Sequence, residues 1–147
     1  MNEYQKLIDI VEKEAKTVED LLEAMKKKQK SIISMTLETM QSSISEEIRL
    51  LSITRSLEKE RIQLVQNIIP ETNAPSKISM ADMLKYFPDA ESEKLTNLKI
   101  RLKNSLEEVK HVNETNRVLL ERGKKFVKDN ISILTSHGEK KLVNKKV

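Results

Sequence analysis

With 147 residues, of which 37% are hydrophobic, 3% aromatic and 34% charged, the chain suits one elongated helical assembly better than a thick globular core. Only two glycines and three prolines argue against tight-turned sheets, and the lack of cysteine excludes disulfides, thiolate metal sites and cysteine nucleophiles. The net charge of +4 is uneven: from Arg122 to Val147 eight Lys and Arg residues face only Asp129 and Glu139, so the remainder is slightly acidic. Such an end can meet nucleic acid or an acidic partner, and it can equally complement a helix dipole and keep a chain end soluble.

Residues Met1 to Lys6 run directly into an amphipathic pattern. Tyr4, Ile8, Val11, Ala15, Val18, Leu22 and Met25 follow at alternating steps of four and three, the stripe of a helix laid against other helices. Nothing here resembles a signal peptide, and no segment approaches the ~18 apolar residues of a membrane span, so the chain is read as cytoplasmic. The stripe fades across Lys26 to Ser31 and returns at Leu37, Met40, Ile44, Ile48, Leu51, Leu57, Leu64 and Ile68. With no proline or glycine before Pro70, a single helix of ~100 Å is permitted. It would outrun any later helix able to cover it, so a break near Ser31 to Ser34 is expected, giving helices over about residues 2–30 and 35–69.

Residues 70–89 form the connector. Pro70, Thr72, Asn73, Pro75 and Ser76 are turn formers, and Ser79 followed by Asp82 reads as the capped start of a short helix over 80–87, ended by Pro88. Its Met80, Met83, Leu84 and Phe87 would plug one end of a bundle. Asp89 can cap a last helix over about 90–136, striped by Leu95, Leu98, Leu102, Leu106 and Val109 and then by Leu120, Val127, Ile131 and Leu134. Gly138 suits the position past its end, which leaves 137–147 as a basic tail expected to be mobile. The fold class is therefore all-α: an elongated antiparallel bundle or coiled-coil hairpin of two or three long helices plus one short connecting helix.

On the last stripe Asn113 and Asn116 stand where leucine is expected. They can fix register inside the bundle or bond a partner's amide groups. Gly123 continues the stripe at a cost of up to ~1 kcal/mol relative to alanine, which a closely approaching neighbour would explain. Chemistry finds little support. Glu108 and His111 have the Glu-x-x-His spacing once, where a di-iron bundle needs it twice, and His137 has Leu134 three residues earlier. Phosphate-cradling glycine loops and nucleophile elbows are missing, so no enzyme, metal, cofactor or small-molecule ligand is expected. Base stacking would have only Phe126 near the basic end, so nucleic-acid binding would be nonspecific and salt-sensitive.

The order of segments carries a resemblance. Leu50-Leu51, then Leu57-Glu58-Lys59-Glu60-Arg61 and Leu64, resembles the LLxxxxxLExxRxxL stretch of the FlgN family. Asn113 to Leu120, preceded by Met83-Leu84 and the leucines at 95, 98, 102 and 106, resembles that family's NxxNxxLL signature. The match covers about residues 2–136 and departs in the Ser/Thr/Met-rich stretch from Ser31 to Ser45 and in the lysine-rich tail. The resemblance implies a cytoplasmic flagellar export chaperone. It would hold the terminal helices of the two hook-filament junction proteins, hook-associated proteins 1 and 3, and deliver them to the cytoplasmic domain of the export gate. An apolar groove is what such a helix requires, and the second half of the last helix is the expected partner-binding surface, through Asn113, Asn116, Leu120, Val127, Ile131 and Leu134. Met25, Met35, Met40, Met80 and Met83 would adapt to more than one client. A coiled coil that only self-associates and a nonspecific nucleic-acid binder are the competing readings. Either a monomer or a homodimer is compatible with the free chain.

Overall fold

The computed structural model describes the backbone of residues 2–146 and the side chains of residues 2–133 and 135. Among these there is no strand; the elements are α1 (Glu3–Ser34), α2 (Leu37–Ile68), a 3-10 turn at Pro75–Lys77, α3 (Met80–Leu84) and α4 (Asp89–Lys146). The side chain of Leu134, and the expected mobility of residues 137–147, lie outside what is described. The helix itself continues to Lys146, so Gly138 does not end it.

Helix α1 opens on a reciprocal cap. The Asn2 side chain accepts from the Gln5 N–H at 2.9 Å, and the Gln5 side chain accepts from the Asn2 N–H at 3.4 Å. Its end has a local cause. Ser31 and Ser34 turn their hydroxyls back onto the carbonyls of Lys27 and Lys30, and Met35 swings into the left-handed region at φ 56°, ψ 38°. Met35 N–H then reaches the Ile32 carbonyl and Thr36 N–H the Ser31 carbonyl at 3.0 Å, closing the helix C-terminus. The break expected at Ser31 to Ser34 thus falls at Met35–Thr36.

Helix α2 returns antiparallel along α1. Near the hairpin tip Lys28 meets Glu47 at 3.0 Å, and further down Arg61 lies 3.0 Å from Glu14. The buried face of α2 repeats every seven residues, Ser43, Leu50, Leu57 and Leu64, with Val65 beside it. The stripe read from sequence through Leu37, Ile44, Ile48 and Leu51 is not this seam. Those four side chains are exposed, turned about a third of a turn from the face that α1 covers.

The connector then brings α3 and Phe87 over the start of α1. Ser79 caps α3 by accepting from the Asp82 N–H at 3.1 Å, and the Tyr4 and Phe87 rings meet edge to face with centroids 5.0 Å apart. Met83 and Phe87 join Leu7, Val11, Leu57, Leu64, Val65 and Leu95 in one core cluster, so this piece closes one end of the bundle. Full burial of such side chains contributes ~1.5–3 kcal/mol each.

From that closed end α4 runs parallel to α1. Leu95 sits in the Leu7 cluster, Arg101 pairs with Glu19, Lys26 lies near Glu108, and Val112 packs with Leu21, Leu22 and Met25. Helix α1 is therefore central, and among the described residues α2 and α4 lie against it without close backbone contact with each other. The seam of α4 steps through Leu95, Leu98, Val109, Val112 and Asn116, while Leu106 and Asn113, expected on it, are exposed. Length then decides the rest. The 58 residues of α4 extend ~87 Å and the 32 residues of α1 only ~48 Å, so α4 outruns the α1–α2 tip.

Candidate partner-binding groove

The overhang begins where α4 last grips α1. Asn116 is 1% exposed, and its Nδ2 donates to the Met25 carbonyl at 3.0 Å. The next residue, Arg117, joins Glu114 and Glu121 along the helix surface, its guanidinium holding the Glu114 carboxyl below the usual carboxylate range. Beyond this point described side chains of α4 face the hairpin tip.

There the two pieces enclose an open apolar groove of about 580 Å³. One wall is the tip of the hairpin: Ile32, Met35, Leu37 and Met40. The other wall is α4, with Leu119, Leu120, Val127 and Ile131 spaced so that successive turns face the tip. Gly123 lies between these turns, and a Cβ built on it meets nothing within 4 Å. The sequence expectation that a close neighbour explains this glycine is therefore wrong; the space beside it is the groove. Lys124 and Lys128 complete the lining, which holds no carboxylate. Among the described residues neither lysine has an acidic side chain within 4.0 Å.

Of the residues anticipated as partner-binding, the structure gathers Leu120, Val127 and Ile131 in the groove. Asn113 is exposed outside it, Asn116 is internal and ties α4 to α1, and the side chain of Leu134 is not described. Sequence reasoning named Met35 and Met40 of the hairpin wall only as adaptable methionines, and missed Ile32 and Leu37 and the alignment that sets this wall opposite α4. The signal that could have found it is register: if α1 and α4 start together and run parallel, Ile32 comes level with residues near Leu119.

Large apolar side chains stay uncovered around this end, among them Met35, Leu37, Phe126, Ile131 and Ile133, each more than half exposed. Contiguous exposed apolar surface of this kind marks interaction sites in soluble proteins. Among the described residues no three His, Asp or Glu side chains gather where they could hold a metal ion, and no helix is long and apolar enough to cross a membrane.

No curated protein and no solved structure matches the chain. The family model described as FlgN protein matches residues 1–144, nearly the full length. The chain belongs to the FlgN family, a family of flagellar export chaperones.

Proposed function

We propose that this chain works in the cytoplasm as the export chaperone of the hook-filament junction proteins, hook-associated proteins 1 and 3. It covers their amphipathic terminal helices until secretion and presents them to the cytoplasmic domain of the export gate. The observation that carries this reading is the groove: an apolar, two-walled trough at the overhang, lined by Met35, Leu37, Met40, Leu120, Val127 and Ile131 and otherwise open to solvent. An amphipathic helix lays its apolar face into a groove of this kind, and the two methionines let the wall adapt to more than one sequence.

Titration of the chain with the terminal helical segment of either junction protein tests this, with duplex DNA as the comparison, at low and high salt. The segment binds at both salt concentrations, because apolar burial is screened far less than phosphate contacts. DNA bound at low salt with no affinity for either segment would overturn the reading in favour of the basic chain end.

A further inference from the structure

The groove has two unlike borders. Along one side of its α4 wall run Lys124 and Lys128, and along the other Leu119, Phe126 and Asn130, none of them charged. Both lysines are exposed, and they stand about one helical turn apart, ~6 Å along the axis. Like charges at this spacing repel, so the pair slightly destabilises the free helix.

Elsewhere cations on the helix surfaces are repeatedly matched. Lys6, Lys13, Lys16, Arg49 and Arg117 each meet a carboxylate three or four residues away. Lys128 has no such neighbour, because Lys124, Lys125, Ile131 and Ser132 occupy those positions. Lys124 has only Glu121, and Arg117 holds that carboxylate at 2.8 Å. Asp129 follows Leu120 by about two and a half turns and so lies on the far side of the helix from the groove. Carboxylates near the groove are thus turned away or already neutralised, and among the described residues neither Lys124 nor Lys128 has an acidic partner.

Two apolar walls with one bare cationic border select their occupant. A bilayer is too flat to enter a trough whose apolar side chains face one another, and a nucleic acid gains nothing from Met35, Leu37, Met40 and Val127. A helix with Asp or Glu three or four residues apart along one border of its apolar face satisfies both features. Its apolar side chains fill the trough while its carboxylates reach the lysines. Because only one border is charged, the same match fixes the direction in which a given helix lies. We infer that the groove selects amphipathic helices with such an acidic border, and that Lys124 and Lys128 determine this specificity. The inference rests on the groove being the client site.

Two synthetic helical peptides with the same apolar face serve as probes, one with Glu at two positions four residues apart on a border of that face and one with Gln there. At low salt the unmodified chain binds the Glu peptide about fivefold more tightly, as two partly exposed ion pairs allow. The preference falls below about twofold at ~0.5 M salt, where exposed charges are screened. Lys124→Gln/Lys128→Gln keeps the helix content of the parent and binds both peptides as the parent binds the Gln peptide, whereas Val127→Ser/Ile131→Ser weakens both equally. Equal binding of the two peptides by the unmodified chain would overturn the inference, as would a preference that survives in the double Gln variant. Tighter binding of phosphatidylserine vesicles than of the Glu peptide would do the same in favour of a membrane surface. Failure of both peptides to bind would remove the groove and the inference together. A junction-protein segment keeps the two readings apart: if it binds while the peptides show no preference, the client reading stands and the acidic border falls. If the Glu peptide is preferred and neither junction segment binds, the acidic border stands and the identity of the client falls.

Discussion

Asn116 on α4 and Met25 on α1 are joined by a buried hydrogen bond of 3.0 Å, from the amide Nδ2 to the main-chain carbonyl, ninety-one residues apart in sequence. The other amide atom, Oδ1, is buried without a partner. A half-satisfied amide at the last firm contact before the overhang fixes how far α4 slides along α1, at some cost in stability.

Asn116→Ala removes the bond and leaves a cavity, so stability should fall by ~1–3 kcal/mol in a denaturant titration. Asn116→Asp should cost more, because it places a carboxylate where the partner is a carbonyl oxygen. If Asn116→Asp proves as stable as the parent at neutral pH, the amide is not buried as described.

A second prediction concerns pH. Glu14 lies between α1 and α2 beside Arg61, yet burial pushes its carboxyl above the ordinary 4.5, outweighing the pull of the guanidinium, with nearby Glu58 adding to the rise. A carboxyl whose pKa is higher folded than unfolded binds its proton better in the folded state. Its contribution is complete below 4.5 and is lost as pH rises through the folded value. Glu14→Gln cannot ionise, so its stability relative to the parent should improve as pH is raised from about 4 to about 7. Midpoints of urea unfolding for both proteins across that range give the sign. An advantage of Glu14→Gln that shrinks with pH would mean Arg61 dominates.

Position 123 separates helix stability from groove volume. Gly123→Ala should stabilise the fold by up to ~1 kcal/mol, since its methyl meets nothing and alanine is the better helix former. Gly123→Leu should fold as well as the parent and bind the junction segment several-fold more weakly, because its side chain occupies the groove. Unchanged affinity in Gly123→Leu would place the segment elsewhere.

The wall residues give the complementary experiment. Val127 and Ile131 are 43% and 58% exposed, so changing both to serine removes little from the free fold. Junction-segment affinity should drop at least about tenfold, the loss of ~1.4 kcal/mol or more of apolar contact. Leu95→Ala is the control: Leu95 is fully buried, and the change should cost ~2–5 kcal/mol of stability. A large fall in melting temperature for the double serine variant would show that these side chains serve the fold.

Much of the architecture was legible in the sequence because each helix announces itself locally. Pro70, Ser79, Pro88 and Asp89 punctuate the chain where the structure does, and the apolar periodicity is helical throughout. Faces were harder. Helix α2 carries two apolar stripes, and periodicity cannot say whether α1 covers Leu50 and Leu57 or Ile44 and Ile48. On α4, a step of four from Leu102 leads to Leu106, while the packed seam takes the step of three and continues to Val109, Val112 and Asn116. Leu102 itself, which sequence places firmly in the core, is only half-buried. The α4 wall of the groove could be named from local spacing alone. Its hairpin wall, beyond the adaptable methionines at 35 and 40, could not, because it comes to share a groove with Val127 only through the parallel alignment of α1 and α4.

Met35 is the one non-glycine residue described with positive φ, in a conformation that costs an L-residue ~1–2 kcal/mol and that glycine would adopt without penalty. The same residue lines the groove. A tip optimised for folding alone would carry glycine here; this one gives up some fold stability and sets a flexible, polarizable side chain at the groove. Under the proposed function stability and recognition are thus opposed at a single backbone position, and evolution of a tighter hairpin at residue 35 would come with a blunter grip.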